Sequence, residues 1–175
     1  LLWTRTFGLL TEAEYAEAIA VSPDGSFYLG ITRANWDSLA FLQRWSPDGN
    51  MLWSATINLS VYDVIRQITE RQDGGVEVLH SLGSGGIGFA RLRYDASGNQ
   101  LLSHSFGAPN TLLANRTPVG MLLLDATTTL VIYIDGEVDE SLRGYSRTYL
   151  RAINNSGGTV YEAQFPLRTE RWARS

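Results

Sequence analysis

Hydrophobic and polar residues alternate along most of the chain in short runs that are separated by glycine-containing turns. In residues 2–7, for example, Trp3, Arg5 and Phe7 share one face of an extended chain, while Thr4 and Thr6 share the other. A period of two is typical of a β-strand with one buried face, and Asp-Gly pairs between such runs favour hairpin turns. The sequence therefore predicts an all-β chain of short antiparallel strands.

The strand at 2–7 recurs at a nearly constant spacing. Trp53 follows Trp3 by 50 residues, Leu102 follows after another 49, and Tyr161 after a further 59. Each repeat unit is interpreted as four strands, which is typical of a β-propeller blade. The predicted strands are 16–21, 26–32, 39–45 and 51–57 in the first unit, 64–69, 75–82, 87–94 and 100–106 in the second, and 119–124, 129–134, 146–153 and 159–165 in the third.

We predict β-propeller blades of four antiparallel strands, about three blades plus an extra N-terminal outer strand, which together form an incomplete ring. The predicted boundaries are a blade-closing strand at 1–8, blades at 9–58, 59–107 and 108–166, and a tail at 167–175. Residues 11–20 are interpreted as a loop that runs into the first strand, with a helical turn as the alternative. Because propellers close with four to eight blades, we expect a longer propeller, with residues 166–175 leading into a fourth blade. Assembly of separate chains is the alternative.

A family resemblance supports this interpretation. Residues 3–8, 18–30 and 40–50 resemble the SBBP-type bacterial β-propeller repeat, which is similar in layout to the quinoprotein-like propeller repeats. The resemblance covers the first unit well, the second fairly and the third loosely. It implies a propeller fold on an exported protein, that is, an extracellular, cell-surface or periplasmic one. It implies no single activity, because propellers host many functions.

Composition excludes several classes of chemistry. The chain carries 14 basic and 18 acidic residues, a net charge of -4, which argues against binding nucleic acid by neutralising phosphates. It contains no cysteine and no lysine, so disulfides, thiolate nucleophiles, zinc fingers and Schiff bases are excluded. No run of eighteen apolar residues occurs, so no membrane-spanning segment is predicted, and no signal peptide is recognised.

A polar loop in the first unit is the candidate binding region. Trp36 lies among Arg33, Asn35 and Asp37, between two predicted strands, where the alternation does not require burial. An aromatic ring flanked by polar groups is suited to contacting a sugar or a protein. Packing over the end of a blade is the alternative interpretation.

An acidic segment in the third unit is the candidate metal site. Asp135, Glu137, Asp139 and Glu140 fall in the ten or so extra residues of that unit, between its second and third strands. Acidic groups at such spacing could supply oxygen ligands to calcium, although the spacing does not fit an EF-hand. The alternative is a solvated acidic hairpin loop. Calcium is the one cofactor considered.

Other polar residues are interpreted as structural. His80 and His104 lack a second ligand at metal-binding spacing and are expected to be packed residues. Arg44 and Arg93 occupy equivalent positions in two units, which predicts an ion pair or a cation–π contact in each. Trp53 and Tyr94 are among the aromatic residues expected to fill the space between blades.

The functional prediction is a non-catalytic propeller repeat module, acting as a protein- or glycan-binding scaffold segment of an exported bacterial protein. The expected partners are other blades or protein subunits, with a glycan as a further possibility, and neither nucleic acid nor membrane. One alternative is a structural subunit of a large multi-chain assembly. The other is part of a propeller enzyme, quinoprotein-like or glycan-cleaving, whose site lies in further blades.

Overall fold

The computed structural model describes residues 13–34, 39–59, 63–83, 88–107, 115–138 and 144–165. In these ranges twelve strands form three four-stranded antiparallel sheets, and no helix is present. Sheet A contains β1 (Ala13–Val21), β2 (Phe27–Ala34), β3 (Ala40–Trp45) and β4 (Met51–Ile57). Sheet B contains β5 (Val64–Glu70), β6 (Val76–Leu82), β7 (Gly88–Tyr94) and β8 (Gln100–Gly107). Sheet C contains β9 (Asn115–Leu123), β10 (Thr128–Val138), β11 (Gly144–Asn154) and β12 (Thr159–Phe165).

Strands pair in chain order within each sheet, as in propeller blades, and the all-β, incomplete propeller-like fold is confirmed. The predicted blade-closing strand at 1–8 lies outside the described residues. Six turns lie at one end of the sheets, here called the turn end. They join β1 to β2 and β3 to β4 in sheet A, and the equivalent strands in sheets B and C. A typical one closes with Gly25 N–H donating to the Ser22 carbonyl, at 2.9 Å, and Gly25 has a φ of +82° that favours glycine. The other ends of the strands lie at the opposite end of the sheets, here called the loop end.

The sheets stack face to face in chain order. We call the face of sheets A and B that is turned towards the following sheet the front face, we give the same name to the equivalent face of sheet C, and we call the opposite face the back face. Sheet A packs on sheet B through β1 and β2 against β5, and β5 to β7 of sheet B contact β9 of sheet C. Gly30 permits a close approach of sheets A and B, since a Cβ there would lie 2.8 Å from the Ile65 side chain. Sheet B is therefore covered on both faces.

Two apolar clusters lie between the sheets. The first joins front-face residues of sheet A, such as Tyr28 and Leu42, to back-face residues of sheet B, such as Val78 and Leu92. The second joins the front face of sheet B to the back face of sheet C, and its buried members are Leu79, Phe89, Met121, Val131, Tyr133 and Ile153. Full burial of each large aliphatic side chain contributes about 1.5–3 kcal/mol, so these clusters hold the stack together.

Two expectations from the sequence need correction. The segment after 134 in the third unit is not a loop at its start, because β10 continues to Val138 and pairs with β11 through Asp135 opposite Arg147. The physical reason is that the Asp135 carboxylate is buried in a hydrogen-bonded pair with Arg116 on β9, so an acidic residue can occupy a strand there. In the first unit, β1 already begins at Ala13, so the loop predicted before residue 16 and the helical-turn alternative are both wrong from Ala13 onwards.

Candidate interaction faces and inter-sheet networks

Sheets A and B are joined at the turn end by side chains that donate to turn carbonyls. The Tyr28 hydroxyl donates to the Gly74 carbonyl at 2.8 Å. Arg44 Nη1 and Trp53 Nε1 both donate to the Ala96 carbonyl, at 2.9 and 3.0 Å. The donors all belong to the front face of sheet A, and the acceptors all belong to turns of sheet B. These contacts attach each turn to the preceding sheet.

Three sequence predictions about residues of sheets A and B are confirmed. The Arg44 guanidinium lies over the Tyr28 ring, 5.3 Å from its centroid, which is a cation–π contact. Its counterpart Arg93 forms an ion pair with Asp73 at 2.7 Å. Trp53 and Tyr94 stack between the two sheets, with ring centroids 6.4 Å apart.

Sheets B and C share a buried charge network. Glu77 and Arg91 are both fully buried and joined by two hydrogen bonds, Nε to Oε2 at 2.7 Å and Nη2 to Oε1 at 2.8 Å. Arg71 Nη1 and Thr129 Oγ1 also donate to the Glu77 carboxylate, at 2.7 and 2.6 Å. Burial works against ionisation, but the hydrogen bonds from Arg91 and Thr129 keep the pKa of Glu77 below its usual range. The carboxylate is ionised and fully partnered, which is a structural arrangement.

The same network reaches two turns of sheet C. Arg71 Nη2 donates to the Ala126 carbonyl and Arg91 Nη1 to the Asn154 carbonyl, at 2.7 and 2.8 Å. Sequence reasoning missed Glu77 and Arg91. The signal was present, because each is a charge inside an apolar strand segment, 76–79 and 89–92 respectively. A charge in such a segment is buried only if it is partnered.

The back face of sheet C carries a second cluster of charges around Tyr133. Arg116 donates to both carboxylate oxygens of Asp135, at 2.6 and 2.8 Å, and lies over the Tyr133 ring at 5.0 Å. Arg151 pairs with Glu162 and lies over the same ring at 5.2 Å. The Tyr133 hydroxyl donates to Glu162 at 3.0 Å, and burial raises the pKa of Tyr133. Five side chains thus form one network on a single face.

The residues of the predicted calcium site are only partly described. Both Asp135 oxygens already accept from Arg116, and Glu137 belongs to β10 but its side chain lies outside the described residues. Asp139 and Glu140 also lie outside them. Among the residues that the structure describes, no three His, Asp or Glu side chains are placed to hold a metal ion. Calcium binding stays a prediction.

At the loop end, Arg33 stands at the base of the predicted binding loop. Its Nε and Nη2 donate to Glu14 Oε1 at 3.2 and 3.1 Å, and its guanidinium lies over the Phe41 ring at 4.8 Å. The side chain retains 25% of its exposure. Asn35, Trp36 and Asp37 lie outside the described residues. The structure therefore shows one of the four residues, held at the point where the loop leaves β2.

His80 is buried between sheets A and B near the loop end. Its Nε2 lies 3.8 Å from Asp63 Oδ1, both side chains are fully buried, and neither ring nitrogen has a hydrogen-bond partner. Burial lowers the pKa of His80 to about 4, with Asp63 opposing and Arg66 adding to that shift. The imidazole is neutral at pH 7, which agrees with the prediction of a packed histidine.

A cleft of about 840 Å³ opens at the turn end between sheets B and C. It is lined by residues 69–73 and 122–126. Two of its carboxylates have local partners, since Asp73 accepts from Arg93 and Asp125 accepts from the backbone N–H groups of Thr127 and Thr128.

In the part of the chain that the structure describes, no helix is long and apolar enough to cross a membrane.

Comparison with solved structures places this arrangement among known folds. Three mutant forms of the Synechocystis apocarotenoid oxygenase are similar to the chain, with a TM-score of 0.50 in each case. One is 10% and two are 12% identical to it, and the match covers 85% of this chain. The chain spans only 38% of the length of those proteins. The likeness shows the fold alone.

Sequence comparisons give no family. No family model matches the chain, and no curated protein matches it. The SBBP-type resemblance therefore stays a prediction, and the function has to be argued from the geometry described above.

Proposed function

We propose that the chain is a non-catalytic β-propeller repeat module of the SBBP type, which serves as a protein- or glycan-binding scaffold segment of an exported bacterial protein. One observation carries the proposal: in the described residues, Arg44, Arg71 and Arg91 join sheet to sheet at the turn end through hydrogen bonds to turn carbonyls. The sheets are joined to one another at the turn end, so the connections at the loop end are available for binding. A scaffold that presents binding loops is expected to have this arrangement.

The proposed contact region is the loop that carries Trp36. Arg33 supports its base, because the bonds to Glu14 and the stacking on Phe41 fix the guanidinium. A fixed base lowers the entropy lost when a loop binds a partner. Trp36 is the proposed anchor, since tryptophan offers a large contact area with few rotatable bonds.

Two probes test this role: an array of defined oligosaccharides and a phage-displayed peptide library. We expect the chain to bind one of them, and Trp36→Ala to weaken that binding by roughly 30-fold, as for an interface anchor. Tyr15→Ala is the matched control, because Tyr15 is an aromatic residue with 55% exposure on β1. Binding to neither probe, or equal losses in the two variants, would contradict the proposal.

A further inference from the structure

Each sheet carries a β-bulge at the same place on its first strand. The register of β1 against β2 shifts between Ala16 and Ala18, so Glu17 stands in a bulge. Arg66 on β5 and Val119 on β9 stand in the equivalent bulges, and we call Glu17, Arg66 and Val119 the bulge residues. Bulges are frequent beside active and binding sites, where they redirect a side chain. Three of them at one position of a repeat indicate a candidate ligand site.

The three bulges lie at one level of the stack, on the strands by which consecutive sheets meet. Strand β1 contacts β5, and β5 contacts β9. Gly30 pairs with Ala18, next to the first bulge, and a Cβ on Gly30 would lie 2.8 Å from Ile65, next to the second. Gln67, on the other side of the second bulge, bonds to the N–H and the carbonyl of Met121 on β9, at 2.7 Å each. The bulge residues therefore start from neighbouring points.

The guanidinium of Arg66 is available to a ligand. Arg66 is exposed although sheet B is covered on both faces, so its exposure does not come from a position at an end of the stack. Among the residues that the structure describes, it is the only arginine that forms no hydrogen bond or ion pair. A guanidinium presents planar, paired N–H donors that match a carboxylate. Arg66 is thus suited to the anionic group of a ligand.

The carboxylate of Glu17 restricts which anion fits. Glu17 is exposed, and within the described ranges it forms no hydrogen bond or ion pair, so it does not neutralise Arg66. A dianion such as phosphate beside Arg66 would be repelled by this carboxylate on the neighbouring strand, whereas a zwitterion would satisfy both charges. On the other side of Arg66, Val119 offers an apolar contact and no charge.

We propose that the bulge residues form a binding site for an aliphatic α-amino acid. Its carboxylate binds the Arg66 guanidinium, its ammonium group binds the Glu17 carboxylate, and its side chain packs on Val119. These three groups branch from one carbon atom in an α-amino acid, and Arg66 lies between Glu17 and Val119 in the order of the contacting strands. The site goes beyond the proposed scaffold role and does not involve the loop that carries Trp36.

Isothermal titration calorimetry of the full chain with L-leucine at pH 7 tests the site. We expect saturable binding of leucine. The dissociation constant should be at least roughly 10-fold higher for 4-methylpentanoate, which lacks the ammonium group, and for 3-methylbutylamine, which lacks the carboxylate. Glycine keeps both charges but has no aliphatic side chain, so it should also bind more weakly. Inorganic phosphate should not displace leucine.

Two substitutions that each remove one charge assign the contacts. Arg66→Gln and Glu17→Gln should each raise the dissociation constant for leucine by roughly 10-fold or more, because each removes a charge-assisted hydrogen bond. Both residues are exposed and unpartnered in the described structure, so neither change should shift the urea unfolding midpoint. Arg93→Gln is the matched control, because it removes the same charge from an arginine that pairs with Asp73 at the turn end. It should bind leucine as the wild type does.

Several results would overturn the site. Absence of leucine binding up to about 10 mM would do so. Equal affinity for leucine and 4-methylpentanoate would remove the role of Glu17, and displacement of leucine by phosphate would show a general anion site. Equal losses in Arg66→Gln and Arg93→Gln would place the binding elsewhere. None of these results changes the binding of oligosaccharides or peptides expected through Trp36, so the two proposals fail independently.

Discussion

Replacing Arg91 by leucine tests whether the buried network holds sheets B and C together. Leu42 occupies the equivalent position in sheet A, so the side chain itself suits this place in a blade. The variant removes both bonds to Glu77 and the bond to the Asn154 carbonyl, and it leaves a fully buried carboxylate with Arg71 and Thr129 as its side-chain donors. Removing one partner of a buried ion pair costs about 3–5 kcal/mol. We expect the free energy of unfolding to fall by that amount.

Equilibrium urea unfolding at pH 7, followed by far-ultraviolet circular dichroism, measures this loss. Arg93→Leu is the matched control, because Arg93 pairs with Asp73, which is half exposed, and such surface pairs contribute at most about 1 kcal/mol. The double variant Glu77→Leu/Arg91→Leu removes both charges and should cost less than the two single losses together, with a coupling of about 1–3 kcal/mol. A loss below about 1 kcal/mol for Arg91→Leu, or strict additivity in the double variant, would refute the reasoning.

Three further predictions concern single side chains. The pKa of His80 is about 6.5 in the unfolded chain and about 4 in the folded one, so the unfolded chain binds more protons between these pH values. The free energy of unfolding should therefore fall by at most about 3 kcal/mol as the pH drops from 6.5 to 4. His80→Leu should make this pH dependence weaker in urea titrations at several pH values, and an unchanged dependence would contradict the assignment. Gly98→Ala should lower the free energy of unfolding by more than about 1 kcal/mol, because φ is +88° and the new Cβ would lie 2.8 Å from the Trp53 ring. In the same assay, Gly107→Ala should change it by less than about 0.5 kcal/mol, since a Cβ at Gly107 would meet nothing within 4 Å. Trp53→Phe should lose about 1 kcal/mol in thermal unfolding, since it removes the hydrogen bond to the Ala96 carbonyl; no loss would show that this bond is replaced by water.

Strand positions could be predicted well from the sequence because the alternation and the turn glycines act locally. The strands at 51–57, 88–94 and 159–165 begin and end within a residue of their predicted bounds. Each of them adjoins a turn that contains a glycine at positive φ, and this turn is recognisable in the sequence. The stacking of units followed from the repeat spacing. These signals come from short stretches of sequence, and the fold preserves them.

The polar network and the third unit could not be predicted in the same way. Whether Asp135 ends a strand or continues one depends on Arg116, which lies on another strand. The role of Glu77 likewise depends on Thr129, 52 residues later in a different sheet. Alternation within a strand shows which residues share a face, but it does not show which face meets a neighbour. The face by which each sheet packs on its neighbour is therefore visible only in the folded chain.

The bonds from side chains to turn carbonyls give the stack a direction. Tyr28, Arg44 and Arg91 all donate forwards, from an earlier unit to a turn of the next one. A chain with its first two units exchanged would turn the charged front face of sheet B towards the back face of sheet A, where Phe27 stands in the position of Thr129 and offers no hydroxyl donor to Glu77. The units are alike in layout but not interchangeable in order, so recombination between repeats should yield misassembled chains more often than shuffled functional ones.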